Sequence, residues 1–273
     1  VSKTTTNGIQ INHTDSGGDG RPVVLIHGWP LSGASWSSQV AALTAAGHRV
    51  ITYDRRGFGD SDKPDSGYDY DTFAADLAGL LEALDVTDAT LVGFSMGGGE
   101  VVRYLSSHGA DRVRSAVLAG AVPPFLLKTD DNPDGGLADE DVEGMKAGAR
   151  DDRAGFLDGF MTNFFSADGE LKVTEAQRQE ALALAAPAAD QAVVGCIDAF
   201  GRTDFRADLD AIDVPVLVIH GDADAIVPIE VSGRRSADQL ANATLHVVEG
   251  GPHGFNVSHA DELNTALLEF IAD

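Results

Sequence analysis

The chain has 273 residues, 43% of them hydrophobic, enough for one sizeable buried core. Forty-three acids against nineteen bases leave a formal charge of -24, with 32 Asp to 11 Glu and only five Lys. Such a surface repels phosphate backbones and argues against nucleic-acid partners, and the single cysteine, Cys196, excludes an intrachain disulfide and a thiolate metal cluster. Residues 1–7 are polar and lack the apolar core of a secretory signal. Residues 9–14 alternate as a strand does, and 23–26 form a continuous apolar run, as in a strand buried on both faces. Helical spacing follows over 35–46 and a strand over 48–53. In 70–84, Tyr70, Phe73, Leu77, Leu80, Leu81 and Leu84 make one helical stripe. A strand at 89–94, a helix at 96–107 and a strand at 113–119 continue the alternation. The alternation predicts an α/β fold, a mostly parallel sheet with helices on both faces.

The pattern breaks at Pro123-Pro124. No strand is predicted from there to 211, only helices over 139–149, 153–160, 174–185 and 188–200. A connection this long is far outside the usual range, so 123–211 is read as a helical cap inserted into a core made of 1–122 and 212–273. Strand 214–220, helix 229–239, strand 244–248 and helix 260–271 complete the core. No run reaches the roughly 18 apolar residues that a membrane span needs, so a soluble, cytoplasmic protein is expected. The acids are scattered rather than clustered into a tail. Two readings of them stand: adaptation to high salt, where screening weakens self-repulsion, or a merely acidic surface.

Gly93-Phe94-Ser95-Met96-Gly97 is a G-x-S-x-G sequence between a predicted buried strand and a predicted helix. A serine on that turn is held in a strained conformation that exposes its hydroxyl near a helix N-terminus, where developing negative charge is favoured. A serine nucleophile needs a base, and the base an orienting acid, here in the chain order Ser, Asp or Glu, His. The strongly apolar strand residues 216–219 are followed by His220-Gly221-Asp222-Ala223-Asp224, which offers two acids. Asp224 is preferred, because Asp222 sits in a glycine turn that it would help to form. Of the later histidines, His246 lies within a strand and His259 at the start of the last helix. His253 lies in the loop Gly250-Gly251-Pro252-His253-Gly254 beyond the last strand, at the sheet edge where open α/β folds place their sites. The triad is therefore read as Ser95, Asp224 and His253, with His259 the competitor. An oxyanion needs backbone donors. Met96 follows the nucleophile, and in His27-Gly28-Trp29-Pro30 the proline has no N–H, which leaves Trp29 as the second donor and as a wall of the pocket.

The sequence resembles the cofactor-free bacterial haloperoxidase, arylesterase and perhydrolase group of α/β-hydrolases. The resemblance is carried by His27-Gly28-Trp29-Pro30-Leu31-Ser32, Tyr53-Asp54-Arg55-Arg56-Gly57-Phe58-Gly59, residues 93–99, Thr203-Asp204-Phe205-Arg206, Ile219-His220-Gly221-Asp222-Ala223-Asp224 and Pro252-His253-Gly254-Phe255. It implies an eight-stranded sheet, a helical cap, the same triad and oxyanion donors, and no metal or other cofactor. It also implies an acyl-enzyme formed from a small ester or carboxylic acid. Water would release the acid, and hydrogen peroxide would instead give a peracid able to oxidise halide. Trp29-Pro30 is the pairing associated with perhydrolysis in that group, with Pro30 shifting the Trp29 carbonyl towards the incoming nucleophile. Members of the group often form symmetric homo-oligomers. A lactam or amide hydrolase, a C–C bond hydrolase on the same triad, and a small-molecule binding protein on this fold are the alternatives. An Asp nucleophile, as in epoxide hydrolases and haloalkane dehalogenases, is argued against by Ser95.

Phe125, Phe160, Phe164, Phe165 and Phe200 are read as lining the acyl pocket from the cap, against the plainer reading of helix-packing aromatics. Pro30, beside Trp29, is expected to line the pocket as well, and Ile226 and Val227, just past Asp224, belong to a loop that must face the site. Asp130, Asn132, Asp134 and Gly135, with Asp141 further on, nearly match a calcium loop. The closing Glu is missing, Pro133 interrupts the loop and no helix precedes it, so no metal is assigned there. Asp54, Arg55 and Arg56 are expected to form a structural charge network behind the site rather than to bind an anion.

Overall fold

The computed structural model describes residues 1–272. Eight strands form one sheet: β1 (Ser2–Thr6), β2 (Ile9–Asp15), β3 (Pro22–Ile26), β4 (Arg49–Tyr53), β5 (Ala89–Phe94), β6 (Val113–Ala119), and, after a long excursion that holds the separate pair β7 (Ser166–Ala167) and β8 (Glu170–Leu171), β9 (Val216–Gly221) and β10 (Ala243–Val248). Their order is β1-β2-β4-β3-β5-β6-β9-β10. Only β1–β2 and β2–β4 pair antiparallel; the six strands from β4 to β10 run parallel. β3 is buried from Val23 to Ile26, which is why that stretch reads as a continuous apolar run, and β5 is buried along its whole length, with Thr90 satisfied by the Ser115 hydroxyl at 2.9 Å.

Helices α1 (Ser37–Ala45), α2 (Tyr70–Ala83) and α3 (Met96–His108) lie between the early strands. A 3₁₀ turn at Gly33–Trp36 takes up the start of the helix predicted from 35. Asp69 caps α2 by accepting from the Thr72 N–H, and the stripe from Tyr70 to Leu81 is buried. Between β6 and β9 come α4 (Asp139–Asp151), α5 (Arg153–Phe164), the short hairpin of β7 (Ser166–Ala167) and β8 (Glu170–Leu171), α6 (Glu175–Ala185), α7 (Asp190–Arg202) and α8 (Arg206–Asp210). The expectation of no strand in this stretch is corrected by that hairpin. Helices α9 (Gly233–Gln239), α10 (Phe255–Ser258) and α11 (Ala260–Ala272) follow in the last third. The helix predicted from 229 starts later because a turn after Pro228, with Val231 N–H donating to its carbonyl at 3.0 Å, occupies the intervening residues. Among the described residues no single helix is long and apolar enough to cross a membrane.

The chain leaves β3 towards β4 on one side and β5 towards β6 on the other. The carboxyl ends of β3 and β5 therefore flank a switch point, where open α/β sheets leave a crevice.

Candidate active site

Ser95 follows β5 with φ 54° and ψ -119°, left-handed backbone that a non-glycine residue adopts only when its surroundings enforce it. The enforcement is visible on both sides. A Cβ at Gly93 would lie 2.4 Å from the Gly97 carbonyl oxygen, and one at Gly97 would lie 2.4 Å from that of Ile26. Any larger residue at either position would push the turn off the sheet edge.

His253 Nε2 is 2.9 Å from Ser95 Oγ, and His253 Nδ1 is 2.6 Å from Asp224 Oδ2. All three residues are buried. An ionised carboxylate can only accept, so Nδ1 carries the proton and Nε2 accepts from the serine hydroxyl. Asp224 Oδ1 accepts from the backbone N–H of Ile226 at 2.9 Å and of Val227 at 2.8 Å. Burial alone would raise the Asp224 carboxyl, but His253 and hydrogen bonds from His220 and His253 outweigh it and hold the group well below the usual carboxylate range. The chain of three groups can take up the serine proton while the hydroxyl oxygen attacks.

His220 escaped the sequence reading. Its Nε2 lies 2.8 Å from the Val227 carbonyl and 3.3 Å from Asp224 Oδ2, beneath the acid. A search restricted to histidines after the acid passes over it, although its spacing four residues before Asp224 is the available signal. Asp222 Oδ1 accepts from Gly250 N–H at 2.7 Å and so ties the β9 turn to the loop that carries His253. His259 hydrogen-bonds Ser258 at 2.9 Å and His246 bonds Glu262 at 2.9 Å, so neither is joined to Ser95.

Trp29 follows β3, and Met96 is the first residue of α3. Neither backbone N–H has a protein acceptor among the described residues. A cavity of about 440 Å³ opens at Ser95 and is lined by Trp29, Phe160, Phe200, Ile226 and Val227, all expected there. Val122, Leu126, Leu137, Met145, Phe156 and Asn163 also line it, without a signal in the sequence that sets them apart from other cap and loop residues. Trp29 is packed among rings, with centroids 4.9 Å from Phe160, 5.7 Å from Phe200 and 6.2 Å from Phe156, and its indole N–H donates to the Val193 carbonyl at 3.1 Å.

Four expected lining residues are elsewhere. Phe164 stands edge-on to the His253 imidazole at 5.0 Å and braces it from behind, and Phe165 packs on Phe164 at 4.8 Å. Phe125 lies under the Arg206 guanidinium at 5.2 Å. Pro30 is buried behind Trp29 and does not reach the cavity wall. Nor do Asp54, Arg55 and Arg56 form one network. Asp54 accepts from Asn12, Gly33 and Asp60; Arg55 pairs with Glu100 at 2.7 Å; Arg56 pairs with Asp76 at 2.6 Å. The calcium-like loop is held by Asn132, whose amide donates to the Phe125 and Leu127 carbonyls and whose oxygen accepts from Arg235. Cys196 is buried in α7, its thiol pushed up to about 12 by burial.

A family model described as the alpha/beta hydrolase fold matches residues 21–260. The chain belongs to the α/β-hydrolase family. Within this family it falls in the non-heme haloperoxidase and perhydrolase group. It is 47% identical to a non-heme chloroperoxidase of Kitasatospora aureofaciens, over 98% of each chain. It is 38% identical to a bifunctional esterase/perhydrolase of Acinetobacter calcoaceticus, again over 98% of each. The crystal structure of a bromoperoxidase from Bacillus anthracis superposes with a TM-score of 0.96 at 51% identity, covering 100% of both chains.

Proposed function

We propose that this hydrolase-family enzyme is a serine hydrolase of small carboxylic esters. In this reading it works through an acyl-enzyme on Ser95 and also accepts hydrogen peroxide in place of water. The observation that carries the reading is the hydrogen-bonded line Asp224–His253–Ser95 ending beside two unengaged backbone N–H groups, at one end of an apolar cavity. Ser95 Oγ attacks the ester carbon and its proton passes to His253 Nε2. The carbonyl oxygen, now anionic, accepts from Trp29 and Met96 N–H. Collapse expels the alcohol, which leaves with the His253 proton. Water or hydrogen peroxide then gives a proton to His253 and attacks the acyl carbon. Ser95 departs with that proton, and the product is a carboxylic acid or a peracid. The relatives named as a chloroperoxidase and as an esterase/perhydrolase support both acceptors. The cavity wall carries no charged side chain, which suits a neutral, apolar acyl group.

The test is turnover of 4-nitrophenyl acetate, with and without peroxide, by the wild type and by Ser95→Ala. Wild-type turnover should fall by about 10⁴-fold or more in the variant, with peracid formation falling in step. Equal turnover in both proteins would overturn the assignment, and a folded wild type without turnover would point to a binding protein.

A further inference from the structure

The two N–H groups assigned to the oxyanion belong to separate pieces of chain, the loop after β3 and the helix after β5. Their spacing decides whether both reach one oxygen, and a buried hydrogen-bonded path ties the Gly28–Trp29 peptide to Glu100 on α3, the helix that carries the second donor. Glu100 lies one turn along α3 from Met96, on the same helix face. Its Oε2 accepts from Arg55 Nε at 2.7 Å, and both side chains are 1% exposed. The same guanidinium donates from Nη2 to the His27 carbonyl at 2.9 Å. Arg55 backbone N–H donates to His27 Nε2 at 2.9 Å. That leaves His27 Nδ1 as the protonated nitrogen, and it donates to the Gly28 carbonyl at 2.9 Å. Leu31 N–H donates to the same carbonyl at 3.0 Å.

The Gly28 carbonyl and the Trp29 N–H belong to one planar trans peptide and point in opposite directions. Two hydrogen bonds on the carbonyl therefore aim the N–H. The Met96 N–H shares its peptide with the Ser95 carbonyl, which accepts from Gly98 N–H at 3.0 Å and Val122 N–H at 3.2 Å, so the first turn of α3 fixes that donor, and the Tyr53 hydroxyl bonds the remaining Glu100 oxygen on the same helix. Burial and the neighbouring Arg55 charge hold His27 well below its usual value, so it stays neutral and able to accept.

We propose that the Arg55–Glu100 ion pair and His27 are positioning residues that set the direction of the Trp29 N–H and its separation from the Met96 N–H at the start of α3. The proposal rests on the acyl-transfer reading of Ser95. Stability is a poor account of the pair. Well-packed apolar side chains of similar size are often as stabilising as a buried pair or more so, and Arg55 Nη1 has no partner among the described residues. What apolar side chains would not supply is a set of hydrogen bonds that ties the loop of the Trp29 N–H to α3.

Three variants test it. Glu100→Gln removes the charge and keeps the shape. Arg55→Met/Glu100→Leu removes the pair without stranding a buried charge. Tyr53→Phe, the mildest, keeps ring and ion pair and loses one hydrogen bond to Glu100. For each, kcat per titrated active site and KM are measured with 4-nitrophenyl acetate. The affinity for phenylboronic acid, whose tetrahedral Ser95 adduct places an oxygen where the oxyanion forms, is measured alongside. A misplaced donor should lower kcat and boronate affinity together by about 10- to 100-fold in the first two variants, with KM changed by less than about threefold. Tyr53→Phe should show a smaller parallel loss. A purely structural role would lower melting temperature and active fraction while leaving both quantities per active site unchanged. That result in any variant that folds, Tyr53→Phe included, overturns the proposal. Its failure is distinct from failure of the acyl-transfer reading, which would show in the wild type as turnover insensitive to Ser95→Ala.

Discussion

Each oxygen of Asp224 has its own task. Oδ1 accepts from Ile226 and Val227 N–H, which fixes the carboxylate plane, and Oδ2 faces His253. Asp224→Asn should keep this packing, with the amide oxygen on the two backbone donors and the NH₂ turned to His253. Nδ1 must then accept, the ring proton moves to Nε2, and the imidazole can no longer take a proton from Ser95. A loss in kcat of about 10³- to 10⁴-fold is expected, with little change in KM and no loss of fold by circular dichroism. The pH dependence follows from the same contacts. The folded carboxyl is held below the ordinary value of about 3.9, so its contribution to stability is complete above that value. It disappears only as pH falls towards the folded value.

At the scale of elements, α5 shows why a pocket is harder to read than a triad. Phe156, Phe160 and Asn163 lie four and three residues apart on one helix face and all meet the cavity, whereas Phe164, one residue on, turns to His253. The roll of the helix about its axis decides which phenylalanine lines the site, and the sequence does not encode that roll locally. Ser95, Asp224 and His253 are legible because each follows a strand that the sequence predicts, and the ends of parallel strands collect at one edge of the sheet. The two hairpins carry a local sequence signal as well. Asn7-Gly8 joins β1 to β2 and Asp168-Gly169 joins β7 to β8, all four residues with positive φ as a two-residue turn demands. The polar β1, an edge strand with mostly exposed residues, hid the first signal. Phe160 packs edge-on to Trp29, so Phe160→Ala should lengthen the cavity away from Ser95. In a series of 4-nitrophenyl esters from acetate to octanoate, the optimum should move to longer chains. The octanoate-to-acetate ratio of kcat/KM should rise by about tenfold, in keeping with the worth of added apolar contact in a pocket. An unchanged ratio would place the acyl group elsewhere.

The whole molecule carries a charge of -24, and its few cations are spent locally. Arg202 on α7 holds Asp139 and Glu143 on α4 as well as Asp198, and Lys146 holds Glu143 and Asp198. Arg178 ties Asp158 on α5 to Glu175 on α6. Added salt acts on these charges with opposite signs. It weakens exposed ion pairs, worth about 0–1 kcal/mol each, and it screens repulsion among acids that outnumber bases 43 to 19. The Debye length falls from about 10 Å at 0.1 M to about 3 Å at 1 M salt, so repulsion summed over many unpaired carboxylates loses more than a handful of close pairs do. The melting temperature should therefore rise between 0.1 and 1 M KCl, by about 5–10 °C for about 2–3 kcal/mol in a chain of this size. The shape of the curve separates screening from salting-out. Screening is nearly complete near 1 M, so the rise should flatten there in chloride, whereas preferential exclusion in sulfate continues to climb. A flat or falling curve below 1 M would mean that the α4–α7 and α5–α6 ion pairs outweigh the repulsion, and that the acidic surface brings no benefit from salt.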